Sequence, residues 1–196
     1  MQEEQDRTTT WLTVIDALVR ESRSARAPTV AEAVLLLRNV QSALKRWPWK
    51  ERSRRGVPPS RWLIDDEADV QALLWTILAP VYGADLVDEH YLPHWGHVQP
   101  RCDLGILSLR LIIEVKIVRT PADFRMVEEQ VAGDTGLYFR EPGRFDRMVV
   151  VIYDDCDRPQ PERYTTLVTA LTRRERVADV VIVRRPSMIP DRSART

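Results

Sequence analysis

The sequence predicts an α/β domain, a mixed β-sheet flanked by helices, with a small helical appendage in front. Three observations predict it. Apolar residues recur at helical spacing in several stretches, the first of them near the N-terminus. Runs rich in branched apolar residues, "RLIIEVKIV", "RMVVVIYD" and "ADVVIVRR", read as strands. Past a break rich in proline and basic residues, the order becomes helix, three strands, helix, strand, helix, strand.

The appendage is expected over residues 1–50. In "TWLTVIDALVRE" Trp11, Leu12, Ile15, Leu18 and Val19 fall on one helical face. In "TVAEAVLLLRNVQSALKRW" Thr29 and Glu32 form a capping-box pattern ahead of a stripe through Val34, Leu37 and Leu44. Helices of this length are marginal alone, so both stripes need cover. The two helices packed on each other, the main domain, a second copy or a partner protein would each supply it, and a homodimer is the most economical.

Residues 51–62 read as a basic linker. From Lys45 to Arg61 seven basic residues face the single acid Glu51, with Trp47, Trp49 and Trp62 within or beside the stretch. Lys50, Arg52, Arg54 and Arg55 are candidate phosphate contacts and the tryptophans candidate stacking surfaces. A solvated linker fits the same residues.

The main domain is expected over 63–185. "DDEADVQALLWTILAPVYG" carries Val70, Leu73, Leu74, Ile77 and Leu78 at helical spacing. Asp65 or Asp66 caps that helix, and Pro80 with Gly83 ends it. "DLVDEHYL" is a first strand, and "CDLGIL" with "RLIIEVKIV" is a hairpin turning near Ser108. "ADFRMVEEQVAGDTGLYFR" is helical despite Gly133 and Gly136. "RMVVVIYD", "ERYTTLVTALTRRER" and "ADVVIVRR" complete the order, and 186–196 is a loose tail.

Charge and composition exclude several classes. Lys+Arg and Asp+Glu are both 29, so net charge names no partner. No apolar run approaches the roughly 18–20 residues of a membrane span. The opening "MQEEQDRTTT" lacks the pattern of a secretory signal, and Cys102 and Cys156 make no disulfide framework, so a cytoplasmic location is expected.

The chemistry concentrates in "RCDLGILSLRLIIEVKIVRT". Strand alternation puts Ile112, Glu114 and Lys116 on one face and the apolar Ile113, Val115 and Ile117 on the other. Asp103, on the preceding arm, comes close enough to face Glu114. Cys102 is expected on the opposite side, in the core. Two carboxylates with the Val115 carbonyl between them make a hard oxygen site suited to Mg²⁺ or Mn²⁺. Lys116 is placed to orient water and stabilise developing phosphate charge. Glu67 opens the preceding helix within reach of the metal, directly or through water. A cross-strand ion pair is the structural alternative. Gln130, Asp134 and Tyr138 either line the site or pack helix on sheet. His90, His94 and His97 match no zinc spacing.

"DDEADVQALL", "EHYLPHWGHVQPRCDLGI", "IIEVKIVRT", "EEQVAGDTGLY" and "VVVIYD" together resemble the PD-(D/E)XK nuclease superfamily, and within it the restriction-endonuclease-like domain of the DpnII/MboI type. The resemblance covers about Ile64 to Tyr153 and extends more weakly to Arg185. It implies metal-binding acids at Asp103 and Glu114, a catalytic lysine at Lys116 and a helix acid at Glu67. It also implies nucleic-acid contacts at Gln71 and Arg101. "HWGHVQP" departs from the small residues the resemblance leads one to expect there. The implied activity is a Mg²⁺-dependent nuclease, with DNA favoured, acting in restriction or antiphage defence. The alternative is a non-catalytic or partner-regulated module on the same fold.

Overall fold

A computed structural model describes residues 28–46, 63–94, 96–140, 142–187 and 189. The first expected helix and the stretch holding Lys50, Arg52, Arg54 and Arg55 lie outside them.

Helix α1 (Val30–Ala43) starts at the expected capping box: the Glu32 N–H donates to Thr29 Oγ1 (3.2 Å), and the Thr29 N–H donates to Glu32 Oε2 (2.8 Å). Helix α2 (Glu67–Tyr82) is capped by Asp66, with Asp69 reciprocating. It runs through Pro80 instead of ending there. Proline removes one backbone bond, and burial of Tyr82 in the core offsets that loss. Gly83, at φ 53°, makes the stop.

Strands β1 (Leu86–Tyr91), β2 (Arg101–Ile106) and β3 (Leu111–Val118) follow, then α3 (Asp123–Tyr138), β4 (Arg147–Asp154), α4 (Pro161–Thr172) and β5 (Val177–Arg184). The sheet order is β1-β2-β3-β4-β5, antiparallel from β1 to β3 and parallel from β3 to β5. The fold is therefore the predicted α/β architecture, a mixed five-stranded sheet flanked by helices.

Alternation along the central strands builds two cores. Ile113, Val115, Val149, Val151, Val181 and Val183 face α1 and α2. Ile112, Val118, Met148, Val150 and Ile152 face α3 and α4. Helix α1 joins the first core through Val34, Leu37, Val40 and Leu44 instead of standing off as an appendage. Each such side chain contributes about 1.5–3 kcal/mol on burial. The Arg38 guanidinium reaches Asp179 of β5 at 2.7 Å, and the Arg184 N–H donates to Gln41 Oε1 at 2.5 Å. The stripe of this helix is thus covered in cis. The tail also begins docked: Ile189 is buried, and its carbonyl accepts from Arg185 at 3.3 Å. Among the described residues no helix is long and apolar enough to cross a membrane.

Candidate active site

The β2–β3 hairpin pairs only from Ile106↔Leu111 to Leu104↔Ile113. Beyond that point the arms part, and Asp103 occupies the fork. Its Oδ2 accepts from the Val115 N–H at 2.7 Å, replacing the backbone acceptor that β2 no longer offers. In a strand the N–H and C=O of one residue point the same way, so the Val115 carbonyl is also aimed at the fork.

Glu114 turns to the α3 side of the sheet, its side chain 3% exposed. Its Oε1 accepts from Lys116 Nζ at 2.7 Å, while Oε2 is buried without a hydrogen bond. Lys116 also lies 3.1 Å from Asp134 of α3. Three carboxylates, Asp103, Glu114 and Asp134, therefore surround one ammonium. One turn past Asp134, the Tyr138 hydroxyl donates to the Arg101 carbonyl at 3.1 Å. Gln130, one turn before Asp134, is exposed and bonds to none of them.

Local sequence holds these elements in place. Asp123 accepts from the Arg119 and Thr120 N–H groups (2.7 and 2.9 Å), which anchors the start of α3 to the end of β3. The Arg119 side chain donates to the Asp65 carbonyl at 2.5 Å, tying the end of β3 to the start of α2. That tie brings Glu67, itself exposed, near enough for its charge to act on Asp103. Gly105 lets the buried Phe145 ring lie against the hairpin; a Cβ there would meet the ring at 2.6 Å.

The electrostatics follow from burial and excess negative charge. Burial pushes the Asp103 carboxyl up to about 6, against the Val115 N–H and Lys116, which favour its charged form. Burial, then the charge of Asp103, pushes Glu114 up to about 8, with Lys116 opposing. For Lys116 burial acts downward, but Glu114 and Asp134 outweigh it and hold the ammonium protonated, above its ordinary value. Burial, then Glu114, raises Tyr138 so that it stays a neutral donor.

Arg101 is exposed, and its guanidinium pairs with Glu89 at 2.7 Å. Cys102 is buried as expected, but among the residues on the Glu114 side of the sheet. Burial, then the charge of Glu114, pushes its thiol up to about 12, which disfavours the thiolate. The His90 ring packs edge-on against Phe145 at 5.7 Å. Glu89 escaped sequence reasoning. It lies opposite Asp103, between Asp88↔Leu104 and His90↔Cys102, with a left-handed φ of 41°. Its only signal was an acid pair interrupting the alternation of "LVDEHY".

Among the described residues no group of three or more His, Cys, Asp or Glu side chains has metal-binding geometry. The oxygen donors on hand are Asp103, Glu114 and the Val115 carbonyl. The orphaned, buried Glu114 Oε2 and the carboxylate excess fit a hard divalent cation.

Residues 38–187 match the family model of the DpnII-MboI restriction endonucleases. The chain belongs to that family. No curated protein and no solved structure matches it. Membership in the DpnII-MboI family makes the chain a nuclease that acts on DNA. The five-stranded mixed sheet with flanking helices agrees with the family's fold.

Proposed function

We propose that this chain is a Mg²⁺- or Mn²⁺-dependent endonuclease that hydrolyses phosphodiester bonds in DNA at the β2–β3 fork. Asp103, Glu114 and the Val115 carbonyl would hold the cation. When bound, it would polarise the scissile phosphate and offset the excess carboxylate charge. The observation that carries the reading is the buried Glu114 carboxylate, one oxygen on Lys116 and the other without a partner.

The residues divide the remaining work. Lys116 lies between Glu114 (2.7 Å) and Asp134 (3.1 Å). It donates hydrogen bonds, and so can align an attacking water and stabilise charge on a phosphate oxygen. Asp134 positions that ammonium from α3. Tyr138 ties α3 to β2 at Arg101 and so fixes the distance between Asp134 and the fork. Glu67 supplies a further negative charge at the entrance, where it can help hold the cation.

We place the activity in restriction or antiphage defence on the strength of the family. The test is incubation of the protein with circular and linear duplex DNA in Mg²⁺, Mn²⁺ or EDTA. Nicking or linearisation of the circle with either metal, abolished by EDTA, is the expected result. Digestion of linear DNA alone would refute the endonuclease assignment, and equal cleavage in EDTA would refute the metal.

A further inference from the structure

A cleft of about 430 Å³ opens beside the fork, between α2 and the edge strand β1, lined by Gln71, Trp75, Thr76, Asp88, Glu89 and Leu104. It adjoins the site through the chain itself: Leu104 follows Asp103, Glu89 lies opposite Asp103, and Gln71 is one turn beyond Glu67. Trp75 stands on the solvent-facing side of its helix, with Ala72 and Thr76. Leu73, Leu74 and Leu78 are buried, while Trp75 remains 36% exposed. Ala68 and Ala72 precede it along the same helix face, and their short side chains leave space against the ring.

The cleft's charge selects its occupant. Asp88 and Gln71 make no hydrogen bond or ion pair among the described residues, so the cleft presents a carboxylate and an amide beside an aromatic face. Glu89 adds a second carboxylate, although Arg101 engages it. Such a lining repels a phosphate. It suits a flat, neutral ring whose edge donates hydrogen bonds. The Glu89 backbone, held at a φ rare for a residue with a side chain, interrupts the β1–β2 ladder at this point.

We propose that the cleft takes a single unpaired nucleobase stacked on Trp75, with an exocyclic amino group donating to Asp88 and Gln71 completing the contact at the base edge. Carboxylates accept from the cytosine amino group and Gln pairs with adenine, whereas thymine has no amino group to offer. The cleft therefore favours adenine or cytosine over thymine. This deepens the nuclease reading and rests on it: the base would belong to a nucleotide beside the bond cut at the fork.

The test is equilibrium binding, in EDTA, of short single-stranded oligo-dA, oligo-dC and oligo-dT to the full chain. Wild type should bind dA or dC about five- to 150-fold more tightly than dT. Trp75→Leu should weaken dA and dC binding over a similar range, and Trp75→Tyr, which keeps a ring, should restore most of it. Asp88→Ala should erase the preference while leaving dT binding as it was. Equal binding of the three oligonucleotides by wild type, or unchanged affinities in Trp75→Leu and Asp88→Ala, would overturn the proposal. Because no metal is present, these outcomes are read separately from cleavage. A wild type that cuts DNA in Mg²⁺ but shows no base preference sinks the cleft alone, and one that never cuts counts against the nuclease.

Discussion

Replacing Glu114 by glutamine separates a metal site from a structural ion pair, because it keeps the side chain's shape and removes one negative charge. In the wild type, burial and the charge of Asp103 already disfavour ionisation of Glu114. Lys116 keeps a second partner in Asp134 at 3.1 Å. Metal-free Glu114→Gln should therefore unfold within about 1 kcal/mol of wild type, or be more stable. Mg²⁺ at about 100 times its Kd stabilises a native state by about 2.7 kcal/mol. At 2–4 °C per kcal/mol for a chain of this size, wild type should gain about 5–11 °C in Tm. The variant should gain almost nothing. Thermal unfolding of both proteins in EDTA and across a Mg²⁺ series measures this. The reasoning is refuted if the metal-free variant loses about 3–5 kcal/mol, the cost of stripping one partner from a structural buried pair, while its Mg²⁺ shift matches wild type.

Three further outcomes are expected, two from the geometry of the described residues and one from the basic stretch of the sequence. Asp103 and Glu114 are raised from 3.8 and 4.5 to about 6 and about 8, so the folded state holds more protons than the unfolded one between those values. Their contribution to metal-free stability should be full at low pH and fall as pH rises toward 8, with Mg²⁺ restoring it; Tm against pH in EDTA and in Mg²⁺ checks this. Gly105→Ala should destabilise by about 1–3 kcal/mol in urea unfolding, because the new methyl meets Phe145 at 2.6 Å. Replacing Lys50, Arg52, Arg54 and Arg55 together should flatten the salt dependence of DNA binding by roughly one slope unit per lost phosphate contact. An unchanged slope would make residues 51–62 only a linker.

Much of the scaffold could be read from local pattern. The branched runs of β3, β4 and β5 and the turn near Ser108 depend on neighbours in sequence, as does the capping box at Thr29. Alternation also put Glu114 and Lys116 on one face. What was hidden depends on long-range geometry. The fork exists because β2 and β3 stop pairing after Leu104↔Ile113, and no spacing rule states where a hairpin parts. Asp134 meets Lys116 only because α3 is anchored at Asp123. Arg101 pairs with Glu89, a partner on the neighbouring strand that no spacing in the sequence names. The cover over α1 comes from β5, whose Asp179 is 141 residues from Arg38. Amphipathic spacing declares that a stripe needs a partner and says nothing of which one.

The central claim is that Asp103, Glu114 and Lys116 form one phosphodiester-cleaving centre. Single-turnover cleavage of a duplex in Mg²⁺, measured beside equilibrium DNA binding, tests it for wild type, Asp103→Ala and Lys116→Ala. The account predicts that each variant loses at least about 10²-fold in cleavage rate and that Lys116→Ala binds DNA almost as wild type does. A Lys116→Ala protein that cuts at the wild-type rate would contradict it, returning the residue to a structural ion pair.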